Sequence, residues 1–126
     1  MEKKLAQIEA LDFFRALLNA PIHRIAVENP IGIVSTRIRK PDQVVQPYEF
    51  GDPEKKSTCL WLKNLPRLKP TQVVAPKNHI AKSGTVIPRW MHTRMSYRSP
   101  KLRLLKSITF SGMAKAMAEQ WGCLGT

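Results

Sequence analysis

Apolar positions along the chain change their period several times, and each change marks an element. From Lys3 to Asn19 they recur at Leu5, Ile8, Leu11, Phe14, Leu17 and Leu18, every three or four residues. That spacing predicts an amphipathic helix with one buried stripe. Asn19 and Pro21 end it, because a proline disfavours helical geometry in the residue before it. Arg24 to Val27 then reads as a short buried strand of the parallel type, and Pro30 prevents its ladder from continuing. Ile31 to Arg39 allows a helical turn or two before Pro41. Gln43 to Gln46 is a further strand, and Thr58 to Leu62 is the strongest one, β-branched and aromatic in character. Between them Phe50-Gly51-Asp52-Pro53 is a turn signal.

From Leu65 to Lys106 regularity fades under Pro66, Pro70, Pro76, Pro88 and Pro100, so 66–106 is expected to be a long irregular segment. A closing helix follows from Gly112 to Trp121, with Ser111 as its N-cap, Gly122 as its stop and Met113, Met117 and Trp121 on one face. A chain of 126 residues suffices for one domain with a modest core, and 1–126 is read as one.

Charge sharpens this picture. The net charge is +12, but residues 1–54 hold seven Lys/Arg against eight Asp/Glu, whereas residues 55–118 hold fourteen Lys/Arg and no acid. Such asymmetry points to a polyanion, nucleic acid first and an acidic protein surface second. Lys77, Lys82, Arg89, Arg94, Arg98, Lys101, Arg103 and Lys106 punctuate the irregular segment, and Trp90, His92 and Tyr97 lie among them. Basic residues contact phosphates while planar rings stack on bases, which suits single-stranded or distorted nucleic acid. Trp90 as an anchor tucked under the domain is the other reading.

Chemistry has fewer candidates. Glu28 falls at the expected C-terminal end of a strand, the edge at which open α/β sheets bind ligands, although on position alone the first reading is an acidic residue that merely ends a strand. Cys59 lies inside a strand pattern and reads as a core thiol, Cys123 as incidental, and neither has metal-ligand spacing. His23, His79 and His92 are scattered through loops, which argues against a metal site. No apolar run approaches the roughly 18 residues a membrane span needs, and no secretory signal is visible, so a cytoplasmic setting without membrane contact is expected.

The order of these motifs resembles the C-terminal half of cytosine-5 DNA methyltransferases, and more closely a group of phage and prophage proteins described as DNA methyltransferase-like. Glu28-Asn29-Pro30, Gln46-Pro47-Tyr48-Glu49-Phe50-Gly51, Thr58-Cys59-Leu60-Trp61-Leu62-Lys63 and Thr109-Phe110 through Gln120-Trp121-Gly122 carry the resemblance, which covers Leu5 to Gly122. It implies half of a doubly wound α/β sheet, about three strands with flanking helices and a long basic loop. It also implies that Glu28 holds a flipped cytosine by its ring nitrogen and amino group, with Asn29 beside it. Pro30 replaces the usual valine of that motif. Lys56 falls on the first arginine that follows the family's aromatic-Gly-x-Pro turn, and Thr58 replaces the second. The Gly112 helix resembles the segment that supports the methyl-donor pocket.

Neither the glycine-rich turn that binds S-adenosylmethionine nor the Pro-Cys loop of the nucleophile occurs in the sequence. The chain is therefore expected to be catalytically inert alone and to bind nucleic acid or a protein partner through its basic half. It would use S-adenosylmethionine only if a partner supplied the missing half. The alternatives are the base-pocket half of a split methyltransferase and a phage-encoded inhibitor of a host defence complex in a bacterial cell. A half-sheet also leaves the Arg24 to Val27 strand without neighbours, which predicts a homodimer or an obligate heteromer. For the basic half, log K for an oligonucleotide should fall with log salt by roughly 0.7 to 0.9 per phosphate neutralised. Replacing Arg94, Arg98 and Arg103 by Ala should weaken binding to all sequences alike. A fluorescence anisotropy titration at several salt concentrations checks both.

Overall fold

The computed structural model describes residues 2–30, 32–88 and 100–125. It is a mixed α/β structure with small antiparallel sheets. The chain divides into two compact units, one formed by the residues up to Val45 with Ser57–Arg67, the other by Gln46–Lys56 and the residues from Leu68 onward.

In the first unit, helix α1 (Glu2–Leu18) leads into strand β1 (Ile25–Pro30), a single helical turn α2 (Val34–Arg37) and strand β2 (Gln43–Val45). Strand β3 (Thr58–Lys63) returns between β1 and β2, antiparallel to both. Its residues alternate between two buried faces. Cys59 and Trp61 face Leu11 and Phe14 of α1 and Val34 of α2, with Leu18, Val27 and Ile38 packed against that cluster. Leu60 and Val45, on the other face, are fully buried as well. Such two-sided burial explains why the strand is apolar without alternation. The Trp61 ring meets Phe14 edge to face, with centroids 4.9 Å apart at 81°. Its indole N–H donates to the Arg39 carbonyl at 2.9 Å, satisfying the one polar atom of a side chain with no exposed surface. Beside it, the Asp42 amide donates to the Leu60 carbonyl at 2.8 Å, and its carboxylate accepts from the Leu62 amide at 2.6 Å and from Arg39 at 3.1 Å.

Several expectations are corrected here. The strand expected as parallel and interior is antiparallel and lies at the edge of its sheet, and its ladder runs through Pro30, opposite Thr58. An edge position tolerates proline because the missing N–H can face away from the ladder. Glu28 consequently sits inside a strand rather than at its end. The stripe of α1 is only half used: Leu11 and Phe14 are buried, whereas Leu5 is 58% and Ile8 50% exposed. The three-stranded sheet is too narrow to cover the helix's first two turns.

In the second unit, a 3₁₀ turn (Pro47–Glu49) is closed by the Gln46 amide donating to Glu49 Oε1 at 2.8 Å. Gly51 follows at φ +96°, a conformation that suits glycine. The amides of Thr71 and Gln72 donate to the Glu49 carbonyl, and that of Val74 to Tyr48. The segment expected to be irregular contains a hairpin of β4 (Asn78–Ile80) and β5 (Val86–Pro88), turned at Gly84, and a helix α3 (Pro100–Ser107). Pro100 opens that helix, where its absent N–H is no loss.

Helix α4 (Ser111–Trp121) buries Met113 and Ala116, while Met117 and Trp121 are half-buried. Its N-cap is Phe110 rather than Ser111. The acceptor for its first turn comes from far away in sequence, because Asp52 Oδ2 receives the Gly112 amide at 2.9 Å. Gly112 is required by closeness rather than by its dihedral angles: a Cβ there would lie 2.1 Å from the Phe50 carbonyl oxygen. At the other end Gln120 pairs with the Lys69 backbone twice, accepting its N–H and donating to its C=O, each at 2.8 Å. Gly112→Ala should therefore destabilise the chain by about 1–3 kcal/mol, as overpacking against backbone does. Asp52→Ala should cost about 0.5–2 kcal/mol as a lost helix cap. Urea melts of both variants measure this, and an unchanged midpoint for Gly112→Ala would mean that α4 does not start against Phe50.

Candidate functional site

β1 carries the two residues read as candidates for chemistry. Alternation along a strand puts Val27 and Asn29 on the side of α1 and leaves Ala26 and Glu28 on the other, and the burial of these four residues follows that pattern. Glu28 is exposed, and among the described residues its carboxylate has no hydrogen-bond or ion-pair partner. β1 has no strand on its outer side among the described residues. Glu28 is thus held by a regular ladder, opposite Leu60, yet remains open to a second molecule.

A groove of about 340 Å3 runs between β1, α1 and the start of α2, bordered by Glu28 and Asn29 and lined by Leu11, Phe13, Leu17, Val27 and Ile33 among others. Phe13, 66% exposed, and Ile33 belong to no face read from the sequence. The signal for Phe13 was its pairing with Phe14: two adjacent aromatics on a helix cannot both face one core. Asn29 is the polar side chain that alternation turns toward this otherwise apolar wall, and Glu28 borders it from the edge of β1 with its side chain on the other side of the strand. Such a surface suits a flat, partly apolar ring with a few polar edges, or the apolar side chains of another polypeptide.

The basic residues fare differently. Lys56 serves the second unit internally: its ammonium donates to the Ile108 carbonyl at 3.1 Å and lies 5.9 Å from the centre of the Phe110 ring. Lys77, Lys82 and Lys101 are exposed, Lys82 in the turn of the β4–β5 hairpin and Lys101 in the first turn of α3. Arg103 and Lys106 belong to α3. Arg89, Trp90, Arg94, Tyr97 and Arg98 lie outside the described residues. Among the described residues no cluster of three His, Cys, Asp or Glu is placed to hold a metal ion, and no helix is long and apolar enough to cross a membrane.

Cys59 is buried in the first unit's core, and burial pushes its thiol up from the ordinary value. A thiol so held is a poor nucleophile, unlike the exposed Cys123. None of the family models, curated proteins or solved structures compared with the chain matches it.

A disulfide reagent should therefore titrate Cys123 alone in the folded protein and both thiols after unfolding. The sign of the pH effect follows: as pH rises past the ordinary thiol value, the unfolded chain releases a proton that folded Cys59 retains, so stability falls. Native reaction of Cys59 at a rate similar to that of Cys123 would contradict the packing.

Proposed function

We propose that this chain is a methyltransferase-derived binding module, catalytically inert by itself, that engages nucleic acid through its basic half and is completed by a second polypeptide along β1 and the exposed side of α1. The observation that carries the reading is Glu28: an exposed carboxylate with no partner among the described residues, on a strand whose outer edge is unpaired among them, beside an apolar groove. An open edge offers backbone donors and acceptors to an added strand, and Phe13 offers apolar surface in the groove beside it, with Ile8 and Leu5 exposed further along α1.

Two further features support the methyltransferase part. β1 and β2 are both antiparallel to β3, so they run parallel to each other with α2 between them in the chain. A doubly wound sheet can include an antiparallel strand of this kind. The turn at Phe50-Gly51-Asp52-Pro53 and the start of the Gly112 helix, two motifs of the resemblance, meet through the bond from Gly112 to Asp52.

The base-pocket half of a split enzyme is the second reading, and the same carboxylate favours it. Glu28 can accept hydrogen bonds from the amino group and protonated ring nitrogen of a base extruded from its stack. The groove does not fit S-adenosylmethionine. A sulfonium ligand with an amino acid, a ribose and an adenine needs several polar partners, and Glu28 and Asn29 are the polar residues there. In the split-enzyme reading the donor belongs to the partner.

Isothermal titration of the isolated chain with S-adenosylmethionine should show no saturable micromolar binding, and saturable binding would overturn the inertness. Light scattering across a concentration series should show self-association that Phe13→Asp abolishes; since Phe13 is exposed, this change should spare the fold. A well-folded monomer throughout the micromolar range, the same with and without the substitution, would overturn the docking reading.

A further inference from the structure

The first compact unit gathers a local concentration of cations. Arg15 of α1, Arg37 at the end of α2, Arg39 just beyond it and Lys63 at the end of β3 line one cleft of about 390 Å3, together with Leu18 and Ile38. Among the described residues no acidic one lines it. The cleft is distinct from the Glu28 groove, since the ridge of α1 formed by Leu11, Phe14 and Leu18 packs into the core between them.

Three of the four cations are held in place from behind. Arg15 is braced by Asp12 at 3.2 Å and by the Arg37 carbonyl at 3.4 Å, and Arg39 by both oxygens of Asp42 at 3.2 and 3.1 Å. Lys63 donates to the Ala20 carbonyl at 3.1 Å. Each keeps further N–H groups free, since a guanidinium has five and an ammonium three. Arg37 is exposed, and among the described residues its guanidinium has no partner. Asp12 and Asp42 offset two of the four charges; the charges of Arg37 and Lys63 remain, and an anion relieves their repulsion. Fixed guanidinium forks lose little side-chain entropy on binding one, and their geometry matches an oxyanion bidentately.

We infer that this cleft binds a phosphate group of a single-stranded nucleic-acid backbone. The inference rests on the nucleic-acid part of the proposed function but on different residues. Size favours nucleic acid over an acidic protein: the volume lies at the small end of ligand pockets, suited to a phosphate and its sugar, whereas a docking helix is about 10 Å across. The first unit would then anchor a strand independently of the basic residues downstream.

The test is anisotropy of a labelled twelve-nucleotide oligothymidylate with the full chain at several salt concentrations. Arg37→Gln with Lys63→Gln should weaken binding by about tenfold at low salt and flatten the slope of log K against log salt by about one. Arg37→Lys should restore part of the affinity. A thermal melt verifies folding, and because Arg37 is exposed, Arg37→Gln alone carries the test if the double variant melts early. A parallel variant, Lys77, Lys82 and Lys101 all to Gln, separates the two ideas. If it weakens binding while the cleft variants leave Kd and slope unchanged, the cleft inference is wrong and the nucleic-acid reading stands. If the unaltered chain does not bind the oligonucleotide at low salt, both fall. Displacement of the oligonucleotide from the cleft by equimolar polyglutamate would overturn the inference in favour of an acidic protein.

Discussion

Trp61 sits where the constraints on the first unit converge. It lies on the central strand, so the ladders to β1 and β2 both pass through β3. Its ring receives Phe14 and so fixes where α1 crosses the sheet, and its indole N–H ties down the Arg39 carbonyl, from which the chain turns into β2. A three-stranded sheet with one helix across it has little apolar surface to spare. Burying a side chain of this size therefore matters more than in a larger domain, and leaving its N–H unsatisfied would cost about 1–3 kcal/mol. Asp42 extends the same arrangement, clipping the entry of β2 to β3 through backbone and carboxylate together. Glu28 owes its fixed place to this chain of contacts: it is exposed, but the residue opposite it, Leu60, is immobilised on both sides.

Much of the architecture was legible in local pattern. β3 announced itself through Thr58 to Leu62, and both long helices through their period, because these signals come from residues that pack on neighbours. Strand direction was not legible. Ile25-Ala26-Val27 reads as buried and parallel by apolar content alone, whereas it is the return of β3 beside it that makes it an antiparallel edge. The stripe of α1 failed for a related reason: period shows which side of a helix is apolar, not how much sheet lies beneath it, and here Leu5 and Ile8 find none. The hairpin and α3 were hidden by prolines read as interruptions, although Pro88 ends a strand and Pro100 begins a helix. Gly112 carried no recognisable signal. Its need arises from the Phe50 carbonyl, over sixty residues earlier in the chain.

The candidate site was legible in its residue types but not in its surroundings. Glu28 and Asn29 were singled out, yet their groove depends on Phe13 and Ile33, which no pattern assigned to a face. Charge shows the same limit. A tally by halves of the sequence calls the first half neutral, but folding brings Arg15, Arg37 and Arg39 together with Lys63 at one cleft. Asp12 and Asp42 pair with Arg15 and Arg39, while Arg37 and Lys63 line the same cleft without an acid beside them among the described residues. Lys56 illustrates the converse, a residue of the acid-free stretch, matched to an arginine of the resembled family, whose ammonium holds the Ile108 carbonyl.

The double bond between Gln120 and Lys69 has a consequence for local dynamics. A primary amide that accepts from a backbone N–H and donates to the C=O of the same residue imitates one rung of a β-ladder, with a helix supplying the second strand. Lys69 lies in no strand or helix and is exposed to water. Its amide hydrogen nevertheless exchanges with solvent only when Gln120 lets go. In hydrogen exchange, protection at this single loop position therefore reports how long the Gln120 side chain holds the loop against the end of α4.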